Sequence, residues 1–237
     1  MRQGSSYSPG GMSVRFTGPI TPVLKVFIIA CIAGFMAQSL WPSLTTALGL
    51  VPVLFWQGMV WQVVTFNFVH GGLFHIFFNL LVLSMFAGEL ELVYGRRRFI
   101  IFMTIAGIGA GLTMAVTSPN LMIPVVGCSG IVYGVLLAYG LLYPNRIVLF
   151  FFVLPMKIKH MVLLLGGIEL WSTISGQDNG VAHLAHLGGM LFGYLYLRYD
   201  KIYMRMRQRY YASKLKKLRG RFYVARPEDD DKPPTFH

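Results

Sequence analysis

Charged residues are scarce in this chain: they make up 13% of its 237 residues, whereas hydrophobic residues make up 55%. A soluble domain carries about 25% charged residues, so the composition argues against one, and the apolar content excludes a disordered chain. Of the 21 Lys and Arg residues, 12 lie between Arg198 and Lys232. The rest of the chain lacks the polar surface that contact with water requires, and we expect it to lie in a lipid bilayer.

Cysteine is also scarce, and its placement does not indicate a disulfide framework, because Cys31 and Cys128 both lie in apolar surroundings. No cleavable signal peptide is evident, since the first apolar run, from Val23, is too long for one. The net charge of +12 does not indicate a nucleic-acid partner, because the basic residues flank apolar runs. We expect them to contact membrane lipid at a cytoplasmic surface.

Six apolar stretches approach the roughly 20 residues that a helix needs to cross a bilayer. They predict an all-α fold, a bundle of six transmembrane helices. A cytoplasmic segment (1–22) precedes this membrane domain (23–199), and a basic tail (200–237) with a disordered end follows it. A shorter apolar run, 147–154, is expected at the membrane interface. The six stretches are residues 23–41, 73–86, 99–117, 126–143, 158–173 and 181–199.

The loops between these stretches differ in charge. Lys and Arg accumulate on the cytoplasmic side of membrane proteins. Loops 42–60, 118–125 and 174–180 contain neither, whereas the other connections and the tail are basic. We therefore expect both termini in the cytoplasm. The membrane itself is expected to be a bacterial inner membrane.

Polar residues occur at the start of three stretches that all run from outside to inside. Such residues are rare in membranes and usually functional. At 1.5 Å per residue, these lie within about 10 Å of the outer boundary, where they can form one site open to the extracytoplasmic side. They are His70, His75 and Asn79 in the second stretch, Ser129 in the fourth, and His183 and His186 in the sixth.

Ser129 and His186 are predicted to be a nucleophile and its base. A serine needs an adjacent base to attack a carbonyl, and a neutral histidine is the usual one. The oxyanion that forms needs preorganised hydrogen-bond donors. His75, Asn79 and the N–H groups at a helix start can supply them.

The residues beside Ser129 bear on this prediction. Gly127 and Gly130 have no side chains and allow close backbone approach. Cys128 is an alternative nucleophile. Adjacent helical residues point about 100° apart, so only one of Cys128 and Ser129 can face His186.

No acidic third member is expected at the site. Glu89 and Glu91 lie at the opposite end of the second stretch, Glu169 lies in the fifth, and Asp178 lies in a loop. The predicted catalytic group is therefore a Ser-His dyad and not a triad.

These motifs, in this order on alternate stretches, resemble the rhomboid family of intramembrane serine proteases. The resemblance covers roughly residues 61–193 and implies the minimal six-span prokaryotic form. The chain departs from the pattern at Gln62, where many members carry Arg after the tryptophan. The motifs are His70-x4-His75-x3-Asn79, Leu90-Glu91 with Gly95, Gly127-Cys128-Ser129-Gly130, and Ala185-His186 with Gly188 and Gly189.

The resemblance implies a peptidase that cuts transmembrane proteins near their extracytoplasmic end, with no cofactor or metal. Ser129 is then the nucleophile and His186 the general base. His75 and Asn79, with the backbone at Cys128, resemble the family's oxyanion site.

Further residues have supporting roles by the same resemblance. Tyr133, one turn after Ser129, resembles the aromatic residue that packs beneath the imidazole. Gly189 and Gly193 resemble the small residues that let the two catalytic helices approach. His70 either shapes the site or caps the entrance of its helix.

Two other functions remain open. His70, His75, His183 and His186 resemble an incomplete set of metal ligands, as in a membrane metalloenzyme with zinc. The chain is alternatively a non-catalytic relative that binds transmembrane helices, although such relatives lack the serine or the histidine. No oligomeric state is indicated.

Overall fold

A computed structural model describes residues 18–150, 153–176 and 182–219, which are mainly helical. The expectations for Asp178, for residues 1–17 and for the end of the tail, 220–237, lie outside the described residues. The helices are α1 (Pro22–Leu40), α2 (Ser43–Leu48), α3 (Pro52–Trp56), α4 (Gln62–Thr65), α5 (Leu73–Tyr94), α6 (Arg96–Thr117), α7 (Ser129–Leu142), α8 (Ile158–Ile174) and α9 (His183–Arg219). A 3₁₀ helix spans Phe66–Phe68, and two strands are β1 (Ile147–Phe150) and β2 (Leu154–Lys157).

The predicted all-α class is confirmed, and each of the six apolar stretches coincides with a helix. Among the described residues, α1, α5 and α6 are long and apolar enough to cross a membrane, with 19, 22 and 22 residues. α7 is apolar but has 14 residues. The number of six crossings therefore stays a prediction.

The chain divides into two compact units, which meet in sequence at Tyr196 and Leu197. In the first unit, α7 packs against α5, α6 and α8, and most of its residues are buried. The second unit, described as far as Arg219, continues α9 as a helix rich in Lys and Arg. The division into a membrane domain and a tail at residue 199 stays a prediction.

Glu91 of α5 is hydrogen-bonded to the start of α1. Its carboxylate is buried and accepts hydrogen bonds from the Thr21 hydroxyl at 2.5 Å and from the N–H groups of Leu24 and Val23 at 3.0 and 3.2 Å. The first N–H groups of a helix have no partner within it, and the helix dipole favours a negative charge there. Glu91 therefore stabilises the entrance of α1, about 18 Å along α5 from Asn79.

Gln62 organises the segment that connects α1 to α5. It is fully buried; its Nε2 donates to the carbonyl of Thr46 at 2.9 Å, and its Oε1 accepts the N–H of Val51 at 3.0 Å. An arginine at this position could donate but could not accept the Val51 bond. The glutamine thus serves as an internal amide that satisfies two backbone groups.

In the apolar run 147–154, expected at the membrane interface, residues 147–150 form one strand of a β-hairpin and Leu154 begins the other. β1 and β2 pair antiparallel, with Ile147 opposite Lys157 and Phe150 opposite Leu154. A short apolar run does not by itself distinguish a strand from a helix, which is why the pattern does not predict this hairpin.

We expect Gln62→Ala to lower the free energy of unfolding by about 2 kcal/mol, because the buried N–H of Val51 loses its acceptor. The measurement is denaturant unfolding of the purified protein in detergent. Gln57→Ala, which removes an exposed glutamine from the same segment, is the control and should change little. Equal stability of both variants would contradict the assignment.

Candidate active site

Ser129 begins α7 after a loop that is fixed on both sides. The N–H of Gly127 donates to the carbonyl of Phe66 at 2.9 Å, and Val125 pairs with Leu50. Gly127 has φ of +109°, which other residues rarely adopt, and a Cβ there would lie 2.6 Å from the ring of His75. Position 127 therefore requires glycine, for its backbone and for the space that the imidazole occupies.

The hydroxyl of Ser129 and the imidazole of His186 share a hydrogen bond, with 2.7 Å between Oγ and Nε2. His186 lies in the first turn of α9 and is 8% exposed. The ring of Tyr133, one turn after Ser129, stacks on the imidazole with 4.4 Å between centroids and 10° between planes. The stack fixes the plane of the imidazole and keeps Nε2 directed at the serine.

The close packing of α7 against α9 depends on glycine residues, which have no side chain. A Cβ at Gly189 would lie 2.0 Å from the carbonyl oxygen of Gly130. Gly193 leaves more room, since its Cβ would lie 3.2 Å from the ring of Phe102 and 3.5 Å from the Cα of Gly134. Small residues are what allows helices to pack this closely in membranes. A side chain at Gly189 would push α9, and with it the histidine, away from Ser129.

His75 and Asn79 lie one turn apart on α5. Nδ1 of His75 accepts the N–H of Gly71 at 3.4 Å, which leaves the proton of the neutral ring on Nε2. Nδ2 of Asn79 is buried without a hydrogen-bond partner, and such an unpaired donor is rare in a folded protein. Both nitrogens lie next to Gly127, two residues before Ser129: a Cβ on Gly127 would be 2.7 Å from Nε2 of His75 and 3.6 Å from Nδ2 of Asn79.

These groups share one cavity of about 460 Å³. Its polar lining comprises the serine, His75 and Asn79 of α5, and the stacked His186–Tyr133 pair. Apolar residues of the segment 121–126 also line it. The cavity therefore combines reactive groups with a surface that accepts apolar side chains.

The expectation that no acidic residue reaches the site is wrong for Glu169. Its Oε1 lies 3.0 Å from Nδ1 of His186, and its Oε2 lies 2.6 Å from Nδ1 of His183. The hydroxyl of Tyr133 donates to Oε1 as well. Nδ1 of His186 does not have hydrogen-bond alignment with the carboxylate. The two buried groups are nevertheless within ion-pair distance of each other.

The direction of α8 explains why Glu169 was not expected. α8 is antiparallel to α7: its start, at Ile158 and Val162, lies beside Gly140 near the end of α7. Its twelfth residue, Glu169, therefore reaches the level at which α7 begins. The expected site residues lie at the starts of their stretches, whereas Glu169 lies in the second half of α8.

His70 does not cap α5, which has no side-chain cap. It is fully buried in the preceding loop; its backbone N–H and C=O bond to the Gln38 amide at 2.8 and 2.5 Å. Burial, reinforced by neighbouring His75, lowers the pKa of His70 to about 4. The thiol of Cys128 lies 3.5 Å from Nε2 of His70. The thiol thus faces His70, whereas the Ser129 hydroxyl faces His186.

Two groups of described side chains are close enough to hold a metal ion. The ligand atoms within each group lie within 4.8 Å of one another, and their types suit zinc. The histidines at 70, 75, 183 and 186 do not form one ligand set among the described residues, since position 75 belongs to neither group. The groups are Glu169 with His183 and His186, and Cys31 with His70 and Cys128.

Comparison with known proteins identifies relatives. A family model described as "Rhomboid domain" matches residues 57–201. The putative rhomboid protease YdcA of Bacillus subtilis is 30% identical over 142 residues, which are 59% of this chain and 68% of that protein. Rhomboid protease GluP of the same organism is 30% identical over 140 residues, 58% of this chain and 25% of that protein. Rhomboid-related protein 3 of Homo sapiens is 35% identical over 83 residues, 35% of this chain and 20% of that protein.

We expect Gly189→Ala to slow the reaction of Ser129 with a fluorophosphonate by about 100-fold, because a shift of about 1 Å in a reacting group can have that effect. Gly167→Ala on α8 is the matched control, since nothing lies within 4 Å of its Cβ. The rate of covalent labelling is measured on folded protein in detergent. Equal rates for the two variants would show that the close helix approach is not needed.

Proposed function

The chain belongs to the rhomboid family of intramembrane proteases, and we propose that it is a serine endopeptidase that cleaves transmembrane proteins near their extracytoplasmic end. Its apolar helices and rhomboid domain make it an integral membrane protein. The observation that carries the proposal is the 2.7 Å hydrogen bond between Ser129 and His186. It joins a nucleophile to a base inside a cavity that can hold a peptide segment.

The reaction follows from this pair. Ser129 Oγ attacks the scissile carbonyl carbon while its proton moves to Nε2 of His186. The tetrahedral intermediate collapses when the imidazolium returns that proton to the leaving amine. A water molecule, deprotonated by His186, then hydrolyses the ester that remains between Ser129 and the substrate. The stack with Tyr133 keeps Nε2 in place for both transfers.

His75 and Asn79 stabilise the intermediate. Its oxyanion needs donors that are already in place, because these require no reorganisation during the reaction. Both residues line the cavity, and Nδ2 of Asn79 is buried without a hydrogen-bond partner. The first N–H groups of α7, at Cys128 and Ser129, lie where a helix leaves such groups without internal partners. Removing one donor of this kind reduces a rate by about 10²- to 10³-fold.

The substrate class follows from the depth of the site in an apolar bundle. A transmembrane helix hides its carbonyl groups in its own hydrogen bonds, so a segment must unwind before Ser129 can attack it. Glycine and proline destabilise a helix by about 1 and 3 kcal/mol, and we expect small or helix-breaking residues near the cleavage site. The apolar residues that line the cavity accommodate the neighbouring side chains of the substrate.

The charge of the loops supports an orientation. The protein lies in a bacterial inner membrane with both termini on the cytoplasmic side. The cavity opens to the opposite side, because the loops 42–60 and 118–125 lack Lys and Arg. The basic residues at 96–98 and in the tail contact anionic lipid.

A metalloenzyme is the second candidate function. Glu169, His183 and His186 are close enough to bind one metal ion, and two histidines with a carboxylate form a familiar catalytic zinc set. A metal there would engage His186 on the side away from Ser129. The two functions differ in their sensitivity to a chelator.

Ser129→Ala and His186→Ala are each expected to abolish cleavage of a labelled single-span reporter in proteoliposomes, because each removes one partner of the proton transfer. A fluorophosphonate should label the unchanged protein at Ser129. Ser84→Ala and His160→Ala are matched controls away from the cavity and should retain activity. Activity in either catalytic variant contradicts the dyad. Loss of activity with EDTA, restored by Zn²⁺, would support the metalloenzyme instead.

Single cysteines test the orientation. Cys31 and Cys128 are fully buried, so an introduced exposed cysteine is the site that reacts. Asn120→Cys and Asn145→Cys place it in two exposed loops that the proposal puts on opposite sides of the membrane. A membrane-impermeant maleimide should label position 120 in intact cells and position 145 only after permeabilisation. The reverse result would invert the proposed topology.

A further inference from the structure

We infer that Glu169 is the acidic third member of the catalytic group, a positioning residue whose carboxylate orients His186 and stabilises the imidazolium formed during the reaction. The inference rests on the proposed serine protease function. It replaces the expected dyad with a Ser129–His186–Glu169 triad assembled from three helices, α7, α9 and α8.

The two ring nitrogens of His186 face different partners. Nε2 bonds to the hydroxyl of Ser129 at 2.7 Å, and Nδ1 lies 3.0 Å from Oε1 of Glu169. A neutral imidazole carries one proton, and only the tautomer protonated on Nδ1 leaves Nε2 free to accept the serine proton. A carboxylate beside Nδ1 favours this tautomer, because it attracts the N–H and repels a lone pair.

Two further groups fix the carboxylate itself. Tyr133 donates its hydroxyl to Oε1 while its ring stacks on His186. Nδ1 of His183 lies 2.6 Å from Oε2 of Glu169. Glu169 is thus held from both sides, and it is 5% exposed. Groups that position a catalytic residue are themselves usually fixed by such outer contacts.

The charges near Glu169 favour the transition state over the resting state. In the described part of the chain its ion-pair partners are the two histidines. A buried carboxylate is unfavourable without a positive partner. As the general base, His186 gains a positive charge when it takes the serine proton, so its attraction to the carboxylate increases as the reaction proceeds. An interaction that is stronger in the transition state than in the ground state raises the rate of the chemical step.

The alignment of the contact sets the expected size of the effect. In a Ser-His-Asp triad with an in-line hydrogen bond, replacing the acid by its amide reduces kcat by about 10⁴-fold. The Nδ1 atom of His186 is not aligned with Glu169 in this way, although catalytic hydrogen bonds often tighten only when substrate binds. We therefore expect a smaller loss, of about 10- to 100-fold.

The experiment compares Glu169→Gln with Glu169→Asp in the full-length protein in detergent. Glutamine keeps the shape of the side chain and removes the charge, whereas aspartate keeps the charge and shortens the side chain. A positioning charge predicts that the aspartate variant is faster, and a packing role predicts that the glutamine variant is faster. The first-order rate of inactivation by a fluorophosphonate is measured for each, with saturation of the probe used to separate reactivity from binding.

The expected result is a 10- to 100-fold lower inactivation rate constant for Glu169→Gln at unchanged probe affinity, with partial recovery in Glu169→Asp. The ¹⁵N spectrum of the His186 ring, assigned with His186→Ala, should show the Nδ1-protonated tautomer in the unchanged protein and mixed tautomers in Glu169→Gln. Glu91→Gln, which removes another buried carboxylate at the far end of α5, should leave that spectrum unchanged.

Three outcomes would overturn the inference: Glu169→Gln at least as reactive as Glu169→Asp, an unchanged tautomer in Glu169→Gln, or activity of the unchanged protein that requires Zn²⁺. In the last case Glu169 is a ligand. Failure of the proposed function looks different, because the unchanged protein would then neither label at Ser129 nor cleave the reporter.

Discussion

The structure depends on one short distance between two helices. The hydroxyl of Ser129 and the imidazole of His186 are hydrogen-bonded at 2.7 Å, yet in a bilayer no hydrophobic effect drives their helices together, since lipid is as apolar as the side chains. Close packing of small residues has to do so. The carbonyl of Gly130 occupies the place where a Cβ of Gly189 would be. The same contact that holds the bundle together at this point therefore also sets the geometry of the site.

A chain with few charges can still hold polar groups inside, and hydrogen-bond partners stabilise them there. Glu91 accepts three hydrogen bonds at the start of α1, and Gln62 satisfies two backbone groups of the connecting segment. In contrast, the Arg146–Glu89 pair is partly exposed, at 47% and 27%. Such pairs contribute at most about 1 kcal/mol. Buried amides and carboxylates, and not surface ion pairs, fix the ends of the helices.

Much of the site could be predicted from the sequence, because polar residues stand out in apolar stretches and recur at helical spacing. The serine at 129, the histidines at 75 and 186 and the asparagine at 79 all line one cavity. Glu169 was missed because its level depends on the direction and length of α8, which the composition of one stretch does not reveal. The burial of Gln62 could not be predicted either, because its partners are backbone groups of a segment without hydrophobic periodicity.

The three helices at the site meet at a single carboxylate, and this makes their contributions inseparable. Tyr133 touches His186 with its ring and Glu169 with its hydroxyl. A change at either residue therefore also alters the other's contact with the imidazole. Groups that share partners in this way do not contribute additively, and inside a protein each hydrogen bond polarises the next. The loss of activity measured for one substitution therefore reports on the whole set of contacts among Tyr133, Glu169 and His186. That set depends on the mutual positions of α7, α8 and α9.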